Sequence, residues 1–286
     1  NGDRQNRTGT TRSNTPSTAV DVKDPMLLHT HTWILREFMQ RHAGGLASPD
    51  ILIYNVIPDI LPIHESISSQ MTHRVPRFRA APAAFRKAAF VQFHLMVDDV
   101  AHYGTVTEKG ADVFHSNPGG YAYEKGKTIV PRIMDFHARS GKPISADEAI
   151  YRSHMLIEMA FDLLLFEREG SLLDLFTEAL ADSLGRGRPE MVSTLQWLLD
   201  IPSKTIETAM DRGFAAYGGD RIRRTMSLDG RTRLYIEKFN YEPEDGRVRR
   251  EVEDWVSLGM GLSEDYKSFL DHTLTVVRAA GFLPAL

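Results

Sequence analysis

Two long apolar stretches carry histidine and carboxylate residues at intervals of four, and this pattern restricts the folds that the chain can adopt. The polar residues at these intervals are His94, Asp98 and His102 in AAFVQFHLMVDDVAHYG, and His154, Glu158 and Asp162 in YRSHMLIEMAFDLLLF. Residues four apart lie on the same face of an α-helix. Each stretch is therefore predicted to be a buried helix with one polar stripe.

The polar stripes need partners because burying an ionisable group in hydrocarbon is costly. A divalent cation held by neutral imidazole nitrogens and carboxylate oxygens offsets the desolvation of all these groups at once. For one helix alone, a core histidine hydrogen-bonded to a neighbouring carboxylate is the simpler explanation. Because the pattern occurs twice, we predict that the two helices face each other across a metal cluster. Asp162 is instead expected to orient a ligand or to close an ion pair.

The composition supports a folded protein and argues against some classes of function. With 286 residues, of which 42% are hydrophobic, the chain is long enough to form a proper core. A formal net charge of −4, from 34 basic and 38 acidic residues, argues against a stable nucleic-acid complex. The chain contains no cysteine, so any zinc must be bound by nitrogen and oxygen atoms alone.

The chain is predicted to be all-α, with a single multi-helix domain after a flexible N-terminal arm. Residues 1–24 contain few apolar side chains, whereas helical patterns dominate residues 25–286. RTRLYIEKF is the segment that most resembles a strand. No run approaches the roughly 20 apolar residues of a membrane span, and no signal peptide is recognisable. We therefore expect no transmembrane segment and a cytoplasmic location, while the oligomeric state stays open.

Local signals set the expected bounds of the two polar-stripe helices. The first is predicted to span Pro82 to Tyr103. Ser145 and Glu148 form an S-x-x-E capping box at the start of the second, which is predicted to run to about Glu169, before a glycine.

An aspartate and two histidines upstream of the first polar-stripe helix are further candidates. Asp59 follows Pro58, so it is expected to be either a helix cap or a ligand. His64 and His73 follow it at a short distance along the chain. The two polar-stripe helices favour the ligand role for Asp59.

The remaining histidines are weaker candidates. His29 and His31 lie two residues apart and cannot face the same way on a helix, so at most one of them is expected to bind metal. Three others stand beside charged residues and are expected at the surface. These are His42, His137 and His272.

The order of these elements resembles that of the zinc-dependent phospholipase C and P1/S1 nuclease superfamily. The order is an early histidine, a Pro-Asp, a Thr-His, an H-x-x-x-D helix and an H-x-x-x-E helix, and it covers the chain from about His31 to Glu158. The resemblance rests on motif order and spacing, without long matching stretches. It implies a mainly α-helical protein with three zinc ions beside a pocket for a phosphodiester.

The resemblance also implies a set of zinc ligands. The ligands implied for one zinc are Asp59, His73, His94 and Asp98, the last of which would bridge to a neighbouring ion. Those implied for a second zinc are His154, Glu158 and His102, with His115 in reserve. The family binds a third zinc through an N-terminal tryptophan and a nearby histidine. Here Trp33 lies inside the chain, so His31 is a candidate ligand, but a two-metal centre is favoured over three.

These patterns predict a metal-dependent phosphoric-ester hydrolase that uses a metal-activated water, with zinc as the expected ion. Asp59 would double as the base that orients this water. A small-molecule or lipid phosphoester is the expected substrate. Arg74, Arg77 and Arg79 are available to bind phosphate oxygens, although a solvated basic face explains at least two of them better.

Two other classes of function stay open. One is a helical binding or assembly protein whose metal is structural, or whose polar stripes form only ion pairs. The other is a diiron or dimanganese redox enzyme, although such bundles use paired Glu-x-x-His motifs and the chain offers only Asp99-x-x-His102. The sequence contains no Gly-x-Ser-x-Gly elbow, no Gly-rich phosphate loop and no dinucleotide fingerprint.

Overall fold

The computed structural model describes residues 28–108 and 119–283, and the secondary structure within these ranges is entirely helical. The helices are α1 (Leu28–Ala43), α2 (Ile51–Ile60), α3 (Ser69–His73), α4 (Ala88–Tyr103), α5 (Tyr121–Gly126), α6 (Val130–Arg139), α7 (Ala146–Glu169), α8 (Leu172–Leu184), α9 (Arg188–Leu199), α10 (Ser203–Tyr217), α11 (Asp220–Thr225), α12 (Leu228–Lys238), α13 (Gly246–Leu262) and α14 (Tyr266–Ala279). The predicted all-α class is confirmed. The predicted arm at residues 1–24 and the reserve ligand His115 lie outside the described residues.

The second polar-stripe helix, α7, has the predicted bounds. It begins after Ser145, whose Oγ accepts a hydrogen bond from the Glu148 N–H at 3.1 Å. The Glu148 side chain does not complete the capping box, because its Oε1 accepts from Arg152 Nε at 2.7 Å instead. The first polar-stripe helix, α4, is shorter than predicted, since Pro82 precedes a separate 3-10 turn at Ala83–Phe85.

The strand-like segment RTRLYIEKF is helical, so that prediction was wrong. It forms most of α12, which starts after Ser227, where Oγ accepts a hydrogen bond from the Gly230 N–H at 3.0 Å. Three consecutive apolar residues, Leu234 to Ile236, fit a fully buried strand and a buried helix equally well. The N-terminal cap at Ser227 and the packing of α12 on α13 stabilise the helix instead of a strand.

Two hydrophobic cores meet along α7. The first is built mainly from α1, α2, α4, α8, α9, α10 and α14, and the second from α5, α6, α7, α12 and α13. α7 contributes to both, with Phe161 and Leu165 in the first core and Leu156 and Met159 in the second. The polar stripes of α4 and α7 lie where the two cores meet, so their polar side chains are surrounded by hydrocarbon.

Asp59 lies in the last turn of α2 and caps no helix. α2 continues through Pro58, which has no N–H to donate to the carbonyl of Tyr54. Thr72 of α3 donates its hydroxyl hydrogen to the Pro58 carbonyl at 2.8 Å. This bond places α3, and with it His73, beside the end of α2 that carries Asp59.

A buried ion pair fixes the chain that follows α3 against α4. Arg77 donates to both carboxylate oxygens of Asp99, with Nε–Oδ2 at 3.1 Å and Nη2–Oδ1 at 2.8 Å. Arg77 Nη1 also donates to the carbonyl of His73 at 2.7 Å. Asp99 accepts two more bonds from the backbone N–H and the hydroxyl of Thr107. The pair therefore holds the end of α3 and the chain after α4 on one side of α4.

Candidate metal centre

Eight polar side chains converge in two clusters beside α4. Cluster A contains His31, Asp59, His73, His94 and Asp98, and cluster B contains His102, His154 and Glu158. Three triples in these clusters each bring one nitrogen or oxygen atom per residue to within 4.8 Å of the others. All eight are residues that the sequence predicted as metal ligands, so the structure brings the whole predicted set together.

Asp98 lies at the centre of cluster A and presents its two carboxylate oxygens to different histidines. Its Oδ1 is 3.1 Å from Nε2 of His31. Its Oδ2 is 3.3 Å from Nε2 of His73 and 3.3 Å from Nε2 of His94. Asp98 therefore presents oxygen atoms on two sides, which the bridging role implied by the family resemblance would require.

Asp59 closes the other side of cluster A. Its Oδ1 lies 3.4 Å from Nε2 of His73 and 3.6 Å from Nε2 of His94. His73 Nδ1 donates to the carbonyl of Ser69 at 2.8 Å, which fixes the ring and directs Nε2 toward the carboxylates. The Asp59 side chain is 19% exposed, whereas that of His94 is fully buried. Asp59 therefore stands at the solvent-facing edge of the cluster.

Cluster A contains buried imidazole nitrogens without hydrogen-bond partners, so its residues could hold a cation. Neither ring nitrogen of His31 or His94 has a partner in hydrogen-bond geometry, although carboxylate oxygens lie close to Nε2 of each. The two rings stack with their centroids 3.8 Å apart. Unpaired buried polar atoms destabilise a fold. A divalent ion between these nitrogens and the carboxylate oxygens would satisfy both sets of atoms, so the residues fit such an ion.

In the protein without metal, the histidines and carboxylates of cluster A stabilise each other's charged forms. Burial alone would lower the pKa of both histidines, but Asp59 and Asp98 outweigh it and raise the pKa to about 10 for His73 and about 9 for His94. Burial would raise the pKa of the two carboxyl groups, and the neighbouring histidines instead hold both pKa values below their usual range. At pH 7 the cluster thus holds two protons that a bound cation must displace.

Zinc binding should therefore release about two protons per chain from cluster A at pH 7, because imidazole binds a metal only when the coordinating nitrogen is deprotonated. Since the pKa values of His73 and His94 lie near 10 and 9, zinc affinity should rise as the pH increases from 6 to 8. Isothermal titration calorimetry in buffers of different ionisation enthalpy measures the release. Zinc binding without proton release would contradict the assignment of cluster A as a metal site.

Cluster B joins the end of α4 to the middle of α7. His102 Nε2 lies 2.7 Å from Glu158 Oε1. Burial alone would lower the pKa of His102, but the Glu158 carboxylate outweighs burial and the pKa is raised. Burial lowers the pKa of His154 to about 4, so its ring is neutral at pH 7. Nδ1 of His154 is buried without a partner. The cluster thus offers one carboxylate and two imidazoles, of which one needs no deprotonation to bind a metal.

α5 packs against both histidines of cluster B. Tyr123 stacks on His154 with ring centroids 4.4 Å apart and meets the His102 ring edge-on at 5.7 Å. Gly120 donates its N–H to the His102 carbonyl at 2.9 Å. A Cβ at Gly120 would lie 2.2 Å from the His102 carbonyl carbon, and one at Gly126 would lie 3.1 Å from the His154 nitrogen. The two glycines therefore let α5 lie directly against the backbone of both histidines.

Gly120→Ala should weaken metal binding by cluster B and lower the free energy of unfolding by about 1–3 kcal/mol, because the added methyl group overpacks the site and moves α5 away from His102. Gly119→Ala is the matched control, since a Cβ at Gly119 meets no atom within 4 Å. Chemical denaturation and metal analysis of both variants make the comparison. Equal effects of the two substitutions would contradict a positioning role for the close approach at Gly120.

Several other predicted candidates lie away from the two clusters. His64 contacts Ser66 in its own loop, with Nδ1 and Oγ 2.8 Å apart. His29 is buried against the edge of Phe166, with ring centroids 5.7 Å apart, so of the pair His29 and His31 it is His31 that enters cluster A. The described residues place neither His29 nor His64 in a potential metal-binding group.

Two of the three histidines predicted at the surface are there, and the third is not. His42 and His272 are exposed. The prediction for His137 was wrong, because it is buried and its Nε2 lies 2.7 Å from the hydroxyl oxygen of Tyr241. Tyr241 is 104 residues away in the sequence, so the neighbours of His137 along the chain gave no sign of this contact.

The three candidate phosphate-binding arginines have different surroundings. Arg77 is buried in its ion pair with Asp99, so it cannot reach a substrate from there. Arg79 is exposed and lies over the ring of Trp197, 4.2 Å from its centroid. Arg74 is exposed. Because Asp99 is paired with Arg77, it does not contribute a carboxylate to either cluster. The Asp99-x-x-His102 pattern therefore supplies only its histidine.

Comparisons with protein-family models, with curated proteins and with solved structures give no match to this chain. The resemblance to the zinc-dependent phospholipase C and P1/S1 nuclease superfamily therefore stays a hypothesis supported by the motif order alone. Among the described residues, none of the helices is both long and apolar enough to cross a membrane.

Proposed function

We infer that the chain is a metal-dependent phosphoric-ester hydrolase of the phospholipase C-like or phosphodiesterase kind. The observation that carries this proposal is the arrangement of Asp98, with one oxygen facing His31 and the other facing His73 and His94. A carboxylate shared in this way suits adjacent metal ions, and adjacent ions are a recurrent device of phosphoester hydrolysis. Zinc is the expected ion because both clusters supply histidine nitrogen and carboxylate oxygen.

In this proposal, some residues would bind the metal ions and another would act as the general base. Clusters A and B would hold the ions, which when bound act as Lewis acids and lower the pKa of water. Asp59 is the general base in this proposal. Its Oδ1 faces His73 and His94, which leaves Oδ2 to accept the proton of the attacking water. In the protein without metal, the nearby histidines hold the pKa of Asp59 below its usual range against the effect of burial, so this carboxylate is already ionised at neutral pH before an ion binds.

The accessible edge of the centre supports a small or flexible substrate. Most of its side chains are nearly inaccessible, and the most exposed are those of Asp59, His73 and His102, at 19%, 24% and 19%. A phosphoester must approach along this edge. A small-molecule or lipid phosphoester can present one phosphate group there, and the net charge of −4 disfavours a long polyanion.

The two alternative functions lack comparable support. A structural zinc site is closed by four protein ligands; the group at cluster B has three and would leave one position open, whereas cluster A offers five candidate ligands for its ion or ions. A diiron bundle needs carboxylate and histidine pairs from several helices, and Asp99 is bound to Arg77 instead.

Elemental analysis of the purified protein, followed by assay on bis-p-nitrophenyl phosphate with and without a chelator, tests the proposal. We expect zinc in the protein, hydrolysis of the phosphodiester, loss of activity on chelation and recovery when zinc is added back. Activity that persists in metal-free protein would overturn the mechanism. Bound metal without hydrolysis of this substrate or of a lipid phosphoester would favour a structural metal.

A further inference from the structure

The third polar residue of the α7 stripe contacts the first turn of α1 rather than either cluster. Asp162 Oδ1 accepts hydrogen bonds from the N–H of Thr30 at 2.8 Å and from its hydroxyl. Oδ2 accepts from the N–H of His29 at 3.4 Å. These N–H groups belong to the first turn of α1, where the helix provides no acceptor for them. Asp162 therefore binds the start of α1 from another part of the fold.

The turn that Asp162 binds is the one that carries His31. His31 is fully buried, and its carbonyl accepts a hydrogen bond from Asn55 Nδ2 at 2.8 Å. The backbone around His31 is thus held from two sides, by α7 through Asp162 and by α2 through Asn55. Held in this way, the ring stacks on His94 and brings Nε2 to 3.1 Å from Asp98 Oδ1.

Arg231 forms a buried ion pair with the Asp162 carboxylate. Its Nη2 donates to Asp162 Oδ2 at 2.8 Å, and both side chains are almost completely buried. The prediction that Asp162 orients a ligand or closes an ion pair is therefore confirmed in its second form. The ion pair connects α12 to α7 at the point where α7 meets α1.

We propose that Asp162 is a positioning residue. It holds the first turn of α1 so that His31 can bind a metal ion together with Oδ1 of Asp98. This inference rests on the proposed metal centre and adds a link from α7 to it. His154 and Glu158 on α7 belong to cluster B, and Asp162, one turn later, supports a ligand of cluster A. The stripe of α7 thereby couples the two clusters.

Three variants test the inference by metal binding in the absence of any substrate. His31→Gln removes the ligand and sets the reference loss of metal. Asp162→Ala removes the carboxylate that accepts hydrogen bonds from the first turn of α1. It should weaken binding of the same ion by about 10–100-fold, as loss of a ligand-orienting group does. Arg231→Met leaves a buried charge unpaired, as Asp162→Ala does, but retains the bonds from Asp162 to α1, so it should keep the ion.

Zinc stoichiometry and competitive zinc titration of the folded variants, with visible spectra of the cobalt(II)-substituted protein, provide the readouts. The double variant Asp162→Ala with His31→Gln should bind no less metal than His31→Gln alone. If Asp162→Ala does not fold, Asp162→Asn, which keeps one acceptor oxygen, should give a smaller loss in the same direction. Metal loss with His31→Gln but full retention with the Asp162 variants would overturn this inference alone. Absence of metal from the wild-type protein would overturn the proposed function as well.

Discussion

Replacing His94 with alanine should remove the ion or ions of cluster A and reduce phosphodiester hydrolysis by more than about a hundredfold. Even groups that only orient a metal ligand cost 10–100-fold when they are removed, and His94 is placed to be a ligand itself. Its Nε2 lies 3.3 Å from Asp98 and 3.6 Å from Asp59, and its ring stacks on that of His31.

His272→Ala is the matched control for His94→Ala. His272 is exposed on α14 and belongs to neither cluster, so this variant should keep wild-type metal content and activity. Metal analysis, the bis-p-nitrophenyl phosphate assay and far-ultraviolet circular dichroism should be run on both variants. If the His94 variant is folded and retains its full metal content, cluster A is a set of ion pairs and the ligand assignment fails.

The two polar-stripe helices could be predicted from the sequence because their signals are local. A helix places residues four apart on one face whatever surrounds it, so the intervals from His94 to Asp98 and from His154 to Glu158 carry over directly into the structure. The start of α7 was predictable for the same reason, since Ser145 caps the N–H of a residue only three positions away. The apolar residues around these intervals also showed that both stripes would be buried.

What the sequence could not provide was the partner of each buried charge. Asp98 and Asp99 are neighbours on α4, yet one faces the histidines of cluster A and the other faces Arg77. Adjacent residues on a helix point about 100° apart, so only the packing of the surrounding helices assigns each one its partner. Asp162 and Arg231 are 69 residues apart, and Arg231 lies in the segment that was mistaken for a strand. With that segment interpreted as a strand, there was no basis in the sequence for predicting this ion pair.

Asp59 lies in cluster A, although the local argument that made it a candidate was incomplete. A proline before it suggested a turn or a cap, but the helix continues through Pro58 and Asp59 lies in its last turn. Its position in cluster A comes from the bond between Thr72 and the Pro58 carbonyl, which brings α3 alongside α2. That contact depends on the tertiary fold, so motif order could indicate a candidate ligand without showing how its side chain is positioned.

Breaking the buried ion pair of Arg77 and Asp99 should have a large effect on stability. Arg77→Met should lower the free energy of unfolding by about 3–5 kcal/mol, because it leaves the Asp99 carboxylate buried without its counter-ion. Both side chains are at most 3% exposed, so solvent cannot replace the lost guanidinium. Urea denaturation followed by circular dichroism measures the change.

Arg86→Met serves as the matched control for this prediction, because Arg86 is exposed near the start of α4 and a surface substitution there should change stability by no more than about 0.5 kcal/mol. Combining Arg77→Met with Asp99→Asn should restore part of the stability, since the double variant no longer buries an uncompensated charge. Arg77 also holds the carbonyl of His73, so the single variant should lose metal affinity in cluster A as well. A loss of stability below about 1 kcal/mol would show that water or another cation reaches Asp99, and that the pair does not anchor α3 to α4.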